Sequence, residues 1–181
     1  MGRARSAIAA KCDPETLRNE AAAVFGLTLS KQTSLDDFDL VIDYCREHSE
    51  ELGGEEGQDA WYGWRHGEWA ILGDMSLQIP KNLDALAALS ARIGTLVVAS
   101  IDSGFEYAFL ACCDGGKIKR LLILEDEEIV EEGLPVPAER GQHFEDFDEE
   151  AAEHIWSSYG LPTFDYDPTE GPFACAAVVL S

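Results

Sequence analysis

The groups in this chain that could do chemistry are 35 Asp+Glu carboxylates, four histidines and five cysteines. Their spacing decides which chemistries are open. A calcium loop needs oxygen ligands at alternate positions, a glycine at the tight turn and a bidentate glutamate at the twelfth position. Asp36, Asp37, Asp39 and Asp43 lead towards Glu47, but Val41 stands where the glycine belongs, and the stretch has a helical period. It reads as a solvated helix face, and Asp165-Tyr166-Asp167 adds only a second small acidic group. His48, His66, His143 and His154 show neither HxxxH nor HExxH spacing, so no metal set or general base is assigned. No glycine loop is placed to cradle phosphate, and no GxSxG elbow occurs. Cys12, Cys45, Cys112, Cys113 and Cys175 form an odd set without a CxxC pair. That argues against a disulfide framework and for small reduced core residues, hence a cytoplasmic setting. These readings predict no catalytic residue, no cofactor and no metal.

Two features stand out from that background. With 13 Lys+Arg the formal net charge is −22 and the pI is near 4.3. So few cations cannot displace the counterions of nucleic acid or of an anionic membrane, which excludes both as ordinary partners. No stretch reaches the roughly 20 apolar residues of a membrane span. The carboxylates cluster at Glu125–Glu128, Glu131-Glu132, Glu145-Asp146 and Asp148–Glu150, around a proline-rich connection at Gly133–Pro137. Joined into one negative surface they would attract a basic protein. The candidate partner-binding carboxylates are therefore Glu127, Glu128, Glu131, Glu132, Asp146 and Glu149. The second feature is aromatic: Trp61, Tyr62, Trp64 and Trp69 fall within nine residues. If one face of their hairpin packs on the core, Trp61 on the other is a candidate binding hot spot.

The elements that must position these groups follow from periodicity. Residues 1–20 show no sustained period and read as a loose or partly helical lead-in to a single α+β domain over 21–181. Val24–Ser30 has strand character, and an amphipathic helix is predicted over 35–49, ending in the polar loop 53–58. A turn at His66-Gly67 would set Trp64 opposite Trp69 within a Trp-rich hairpin at 61–72. Turns at Ser103-Gly104 and Gly115-Gly116 would join strands 95–102, 105–113 and 117–125 into an antiparallel meander. Apolar on both faces, it is expected in the middle of the domain with cover on each side. Asn82 and Asp148 each cap a helix, the first stopping at Gly94 and the second at Gly160. Phe173–Leu180 reads as a buried strand. The predicted fold is one antiparallel sheet packed against about three helices.

The charge balance, the Trp hairpin and the meander running into acidic Leu124–Glu132 make the chain similar in general character to the small acidic immunity proteins of bacterial toxin systems. No specific motif is shared residue by residue, and no site residues are carried over. What the resemblance implies is a compact cytoplasmic module that neutralises a cationic toxin or nucleic-acid-acting enzyme with carboxylates, without catalysis. Two alternatives belong to other classes. One is a small-molecule-binding domain or enzyme with a pocket between sheet and helices, and the other is a structural or assembly accessory protein.

Overall fold

The computed structural model describes residues 4–164, 167–169 and 171–180. Among these, nine strands and four α-helices build a single-sheet antiparallel α+β domain. The strands are β1 (Ala4–Ala10), β2 (Leu27–Leu35), β3 (Gln58–His66), β4 (Trp69–Asp74), β5 (Leu96–Asp102), β6 (Tyr107–Asp114), β7 (Lys117–Glu125), β8 (Glu128–Gly133) and β9 (Phe173–Leu180). Their order across the sheet is β2-β9-β3-β4-β1-β5-β6-β7-β8, with every neighbouring pair antiparallel. The helices are α1 (Pro14–Phe25), α2 (Phe38–His48), α3 (Leu83–Ile93) and α4 (Glu149–Ser158).

Alternation along the strands divides the core into two layers. Leu17, Ala21, Leu86 and Leu89 of α1 and α3 pack with Ile8, Trp61, Leu72, Val98 and Phe109 on one face. Phe38, Val41, Cys45, Ile155 and Trp156 of α2 and α4 pack with Ala7, Tyr62, Trp64, Ile71 and Leu110 on the other. Helices therefore cover both faces of the sheet, and there are four of them rather than about three.

The largest departure from the sequence reading is at the N-terminus. Residues 4–10 are not a loose lead-in but β1, hydrogen-bonded between β4 and β5 near the centre of the sheet. ARSAIAA hides this because only Ile8 is a typical strand former. Small side chains buried on both faces give a short apolar run without alternation. The α1 that follows carries ordinary end signals. Asp13 accepts the Thr16 N–H at 2.9 Å, Pro14 opens the first turn, and Gly26 closes the helix at φ 68°. Strand β2 accordingly begins at Leu27, beyond the predicted start at Val24.

Two of the three predicted hairpins shift in register by two residues. The first turns on Gly67-Glu68, so that His66 faces Trp69 and Trp64 faces Ile71. The next closes through the four residues Ser103–Glu106, which sets Val98 opposite Ala111. A two-residue slip preserves the faces, so the expected division of Tyr62 and Trp64 from Trp61 stands. The Gly115-Gly116 turn pairs Asp114 with Lys117 as expected, but an extra residue after Ile118 moves the later pairs to Leu110 with Leu122. The meander has cover on both faces, yet it occupies one end of the sheet rather than the middle. The acidic run after it forms its fourth strand, Glu128–Gly133.

Candidate functional site

The sheet ends at β8, and this edge holds most of the predicted carboxylates. The turn into β8 is Asp126-Glu127, with φ of 51° and 65°. Two consecutive left-handed residues make the turn type that a tight hairpin favours; aspartate is an accepted first residue of such a turn, but glycine fills the second position with far less strain than glutamate. The strained turn projects two exposed carboxylates at the hairpin tip. Along the strand, Glu128, Val130 and Glu132 share the α3 side of the sheet, opposite Glu125, Ile123 and Leu121. Glu128 and Glu132 are exposed, Val130 is 44% exposed between them, and Leu134 just beyond is 84% exposed.

Glu131 points to the other side and has a different task. It meets Arg120 at 2.7 Å, and Arg120 is only 1% exposed. The Arg120 guanidinium also donates through Nε to both oxygens of Glu139, at 3.1 and 2.9 Å, and through Nη1 to the Gly133 carbonyl at 3.1 Å. Glu139 in turn accepts the Val136 N–H at 2.8 Å. Burial disfavours the Arg120 charge, but the Glu139 and Glu131 hydrogen bonds outweigh it and hold the pKa above its ordinary value. Arg120 thus fastens the end of β8 and the proline-rich connection to β7. Gly133 must be glycine here, since at φ 84° a Cβ would lie 2.0 Å from the Lys119 carbonyl oxygen.

Asp146 is exposed on the short 3-10 turn Phe144–Asp146, which packs beside β8, and half-buried Glu149 opens α4 behind its Asp148 cap. The structure therefore brings Glu127, Glu128, Glu132, Asp146 and Glu149 to one end of the domain, on both sides of the edge strand rather than on one face. Trp61 does not join them. It is 2% exposed, edge-on to Phe25 at 5.8 Å in the α1/α3 layer, so the expected exposed aromatic is a core residue. Trp64 and Trp69 are buried in the opposite layer.

Sequence reasoning missed a second group of carboxylates under the loop after β4. Asp74 is fully buried and accepts the N–H groups of Ser76, Gln78 and Ile79 at 2.8, 2.6 and 2.9 Å. The Ser76 hydroxyl lies 2.5 Å from Asp74 Oδ1 and 2.5 Å from Asp59 Oδ2. One hydroxyl proton cannot serve two carboxylates, so the arrangement calls for a second, carboxyl proton. Burial, then the nearby Asp59 charge, raise the Asp74 pKa to about 7, opposed by the hydrogen bonds from Ser76 and Ile79. Asp59 is also held by Ser49 Oγ at 2.9 Å and the Ala60 N–H at 2.7 Å. Every Asp74 oxygen is committed to the loop, which makes this pair a fastener for residues 75–81. The spacing of Asp74, Ser76 and Gln78 around a short apolar turn was the sequence signal for it.

The remaining chemistry-bearing residues stay dispersed. Among the described residues no group of three or more His, Cys, Asp and Glu could hold a metal, and Asp165 and Tyr166 lie outside them. His48 is buried, His66 half-buried, and His143 and His154 exposed. All five cysteines are free thiols. Burial pushes Cys113 and Cys175 up to about 12 and Cys45 higher still, which removes them as nucleophiles at neutral pH. No helix among the described residues is long and apolar enough to cross a membrane. Comparison with known protein families, with curated proteins and with solved structures finds no match for the chain.

Proposed function

We propose that this chain is an acidic protein-binding module of the immunity or inhibitor type, acting in the cytoplasm on a basic toxin or enzyme. The contact surface is the β7–β8 tip with its flanks: Glu127, Glu128 and Glu132, with Asp146 and Glu149 beside them. The observation that carries this reading is the strained Asp126-Glu127 turn. Local backbone energy is spent at a hairpin tip that carries two exposed carboxylates, and such strain concentrates at functional sites. Val130 and Leu134 add exposed apolar contact to an edge that charge alone would only keep soluble. Carboxylates so arranged steer a cationic partner and fade in effect as salt screens them. Glu131 is excluded from the contact set because Arg120 holds it.

The test is capture from the native cells with the tagged chain as bait, at low and at high salt. A variant carrying Lys at positions 127, 128, 132, 146 and 149 runs alongside, with its fold checked by circular dichroism. The expected result is a stoichiometric basic protein, retained at low salt, released at high salt and lost from the variant. Equal retention by the folded variant would remove the acidic edge as the interface.

A further inference from the structure

On the opposite half of the sheet, far along the strand order from β8, a cavity of about 230 Å³ lies between the sheet and α4. Its walls come from β1 (Arg5, Ala7), β3 (Tyr62, Trp64, His66), α4 (Trp156) and the connection from α4 to β9 (Phe164, Asp167). Two stacked aromatic pairs stand in the lining. Tyr62 and Trp64 are nearly parallel, 10° apart with centroids at 5.5 Å, and Trp156 and Phe164 lie 26° apart at 5.2 Å. These walls are fixed from behind. The Trp156 indole N–H donates to the Pro162 carbonyl at 2.8 Å, and the Phe164 N–H donates to the Glu153 carboxylate at 2.6 Å. Protein interiors ordinarily close-pack, and a dry cavity of ~150 Å³ already accepts benzene. An aromatic-walled cavity with a few polar groups is the usual form of a small-molecule site.

The polar groups select the ligand. Arg5 is the lining residue with a permanent positive charge, and its guanidinium donates to the carboxylate of Asp167. Asp167 is half-exposed, on the solvent side of the pair, whereas Arg5 is largely covered and rests over the Phe38 ring at 5.5 Å. A carboxylate therefore already reaches this guanidinium at the cavity, and it comes from the more exposed partner. Another carboxylate can take its place while the attached ring enters between the aromatic walls. We propose that this cavity binds a small planar aromatic carboxylate, one or two rings in size, with Arg5 as the anion anchor and Asp167 as the group it displaces. The site is separate from the acidic edge and does not depend on the function assigned to it.

The test titrates the purified full chain with phenylacetate, reading tryptophan fluorescence, with acetate, benzyl alcohol and benzylamine as comparisons. Saturable binding of phenylacetate at millimolar concentration or below is expected, with benzylamine weaker than benzyl alcohol. Arg5→Gln should weaken phenylacetate by about tenfold, the scale of one lost charge-assisted pair, and leave benzyl alcohol unchanged. Asp167→Asn, at a half-exposed position, should strengthen phenylacetate by about threefold because the internal competitor loses its charge. Absence of saturation, or benzylamine binding as well as phenylacetate, would overturn the proposal. Should Arg5→Gln fail to fold, an unchanged affinity in Asp167→Asn would overturn it as well.

Discussion

The carboxylates beneath the loop after β4 and those along β8 are the same chemical group in opposite surroundings. Asp74 has no contact with water, and three backbone N–H groups and a serine hydroxyl occupy its oxygens. Glu127, Glu128 and Glu132 stand in solvent, and two of them flank an exposed valine. In the first place the charge is expensive, so burial favours the protonated form and the carboxyl serves as a structural acceptor. In the second the charge is cheap and available to something outside the molecule. The Arg120–Glu139 pair lies between these limits: it is buried, but charged on both sides and supported by further hydrogen bonds. In a chain of net charge −22, the number of acidic residues is therefore less informative than which of them the fold has already used.

The comparison is broken most violently at Arg120. Arg120→Met leaves Glu139 buried without its cation, and losing one partner of a buried pair costs about 3–5 kcal/mol. Urea denaturation should show a loss of that size, with β8 and the 134–139 connection losing amide protection first. The double change Arg120→Met with Glu139→Met should recover much of it, since no uncompensated charge remains. A loss under 1 kcal/mol for the single change (roughly a surface effect) would mean that the pair is not buried in solution.

Asp74 provides the next largest effect, through pH. Its folded-state pKa of about 7 exceeds the ordinary value of 3.8, so between those limits the folded state binds the extra proton. Stability from this group therefore falls as pH rises through that window, and the full penalty is present above it. The difference corresponds to something on the order of 4 kcal/mol at most. Asp74→Asn has no proton to lose. It should cost stability at about pH 5 through a misplaced amide N–H, and compare progressively better towards about pH 8. Parallel urea midpoints for the two proteins across that range would show Asp74 to be charged throughout.

How much of this was legible in the sequence depended on whether a residue's neighbours in space were also its neighbours in the chain. Caps at Asn82 and Asp148, the strand Phe173–Leu180 and the Gly115-Gly116 turn are local, and the structure has them where periodicity put them. The faces of the first two hairpins survived their register errors because those were even-numbered, whereas the single extra residue after Ile118 shifts the third by one. The central strand β1 did not show itself, because Ala7, Ala9 and Ala10 become strand only between β4 and β5. For the site, sequence located the acidic run but not its division of labour. The β7–β8 register puts Glu131 rather than Glu132 on the side of Arg120, and which face of the sheet that side becomes depends on the extra residue after Ile118, which no local signal marks. The aromatic cavity was equally out of reach, since Arg5 and Asp167 lie 162 residues apart.

Within β8 itself the contrast can be sharpened to adjacent positions. Glu131→Gln removes a charge that Arg120 uses and should cost about 2 kcal/mol, the scale of a hydrogen bond between charged groups. Glu132→Gln, one residue on and exposed, should change stability by less than about 0.5 kcal/mol. Binding should show the reverse order, with the partner affected by Glu132 and indifferent to Glu131 except through loss of fold.

The smallest expected effect is a gain, and it bears most directly on function. Replacing Asp126-Glu127 with Asn-Gly keeps the two left-handed positions at the β7–β8 tip and relieves the strain of holding the Glu127 β-carbon at the second of them. Stability should rise by about 1 kcal/mol. If the turn is kept acidic because the partner needs its charge, the same change should slow association with the basic protein, most clearly at low salt. A rise in stability without any change in association would mean that the strained pair is not held there for recognition. The contact would then have to lie with Glu128, Glu132 and the flanking Asp146 and Glu149. A tip that is both less stable and faster to associate than its Asn-Gly counterpart is the outcome that separates an interface from a merely soluble edge, because solubility alone gives no reason to tolerate the strain.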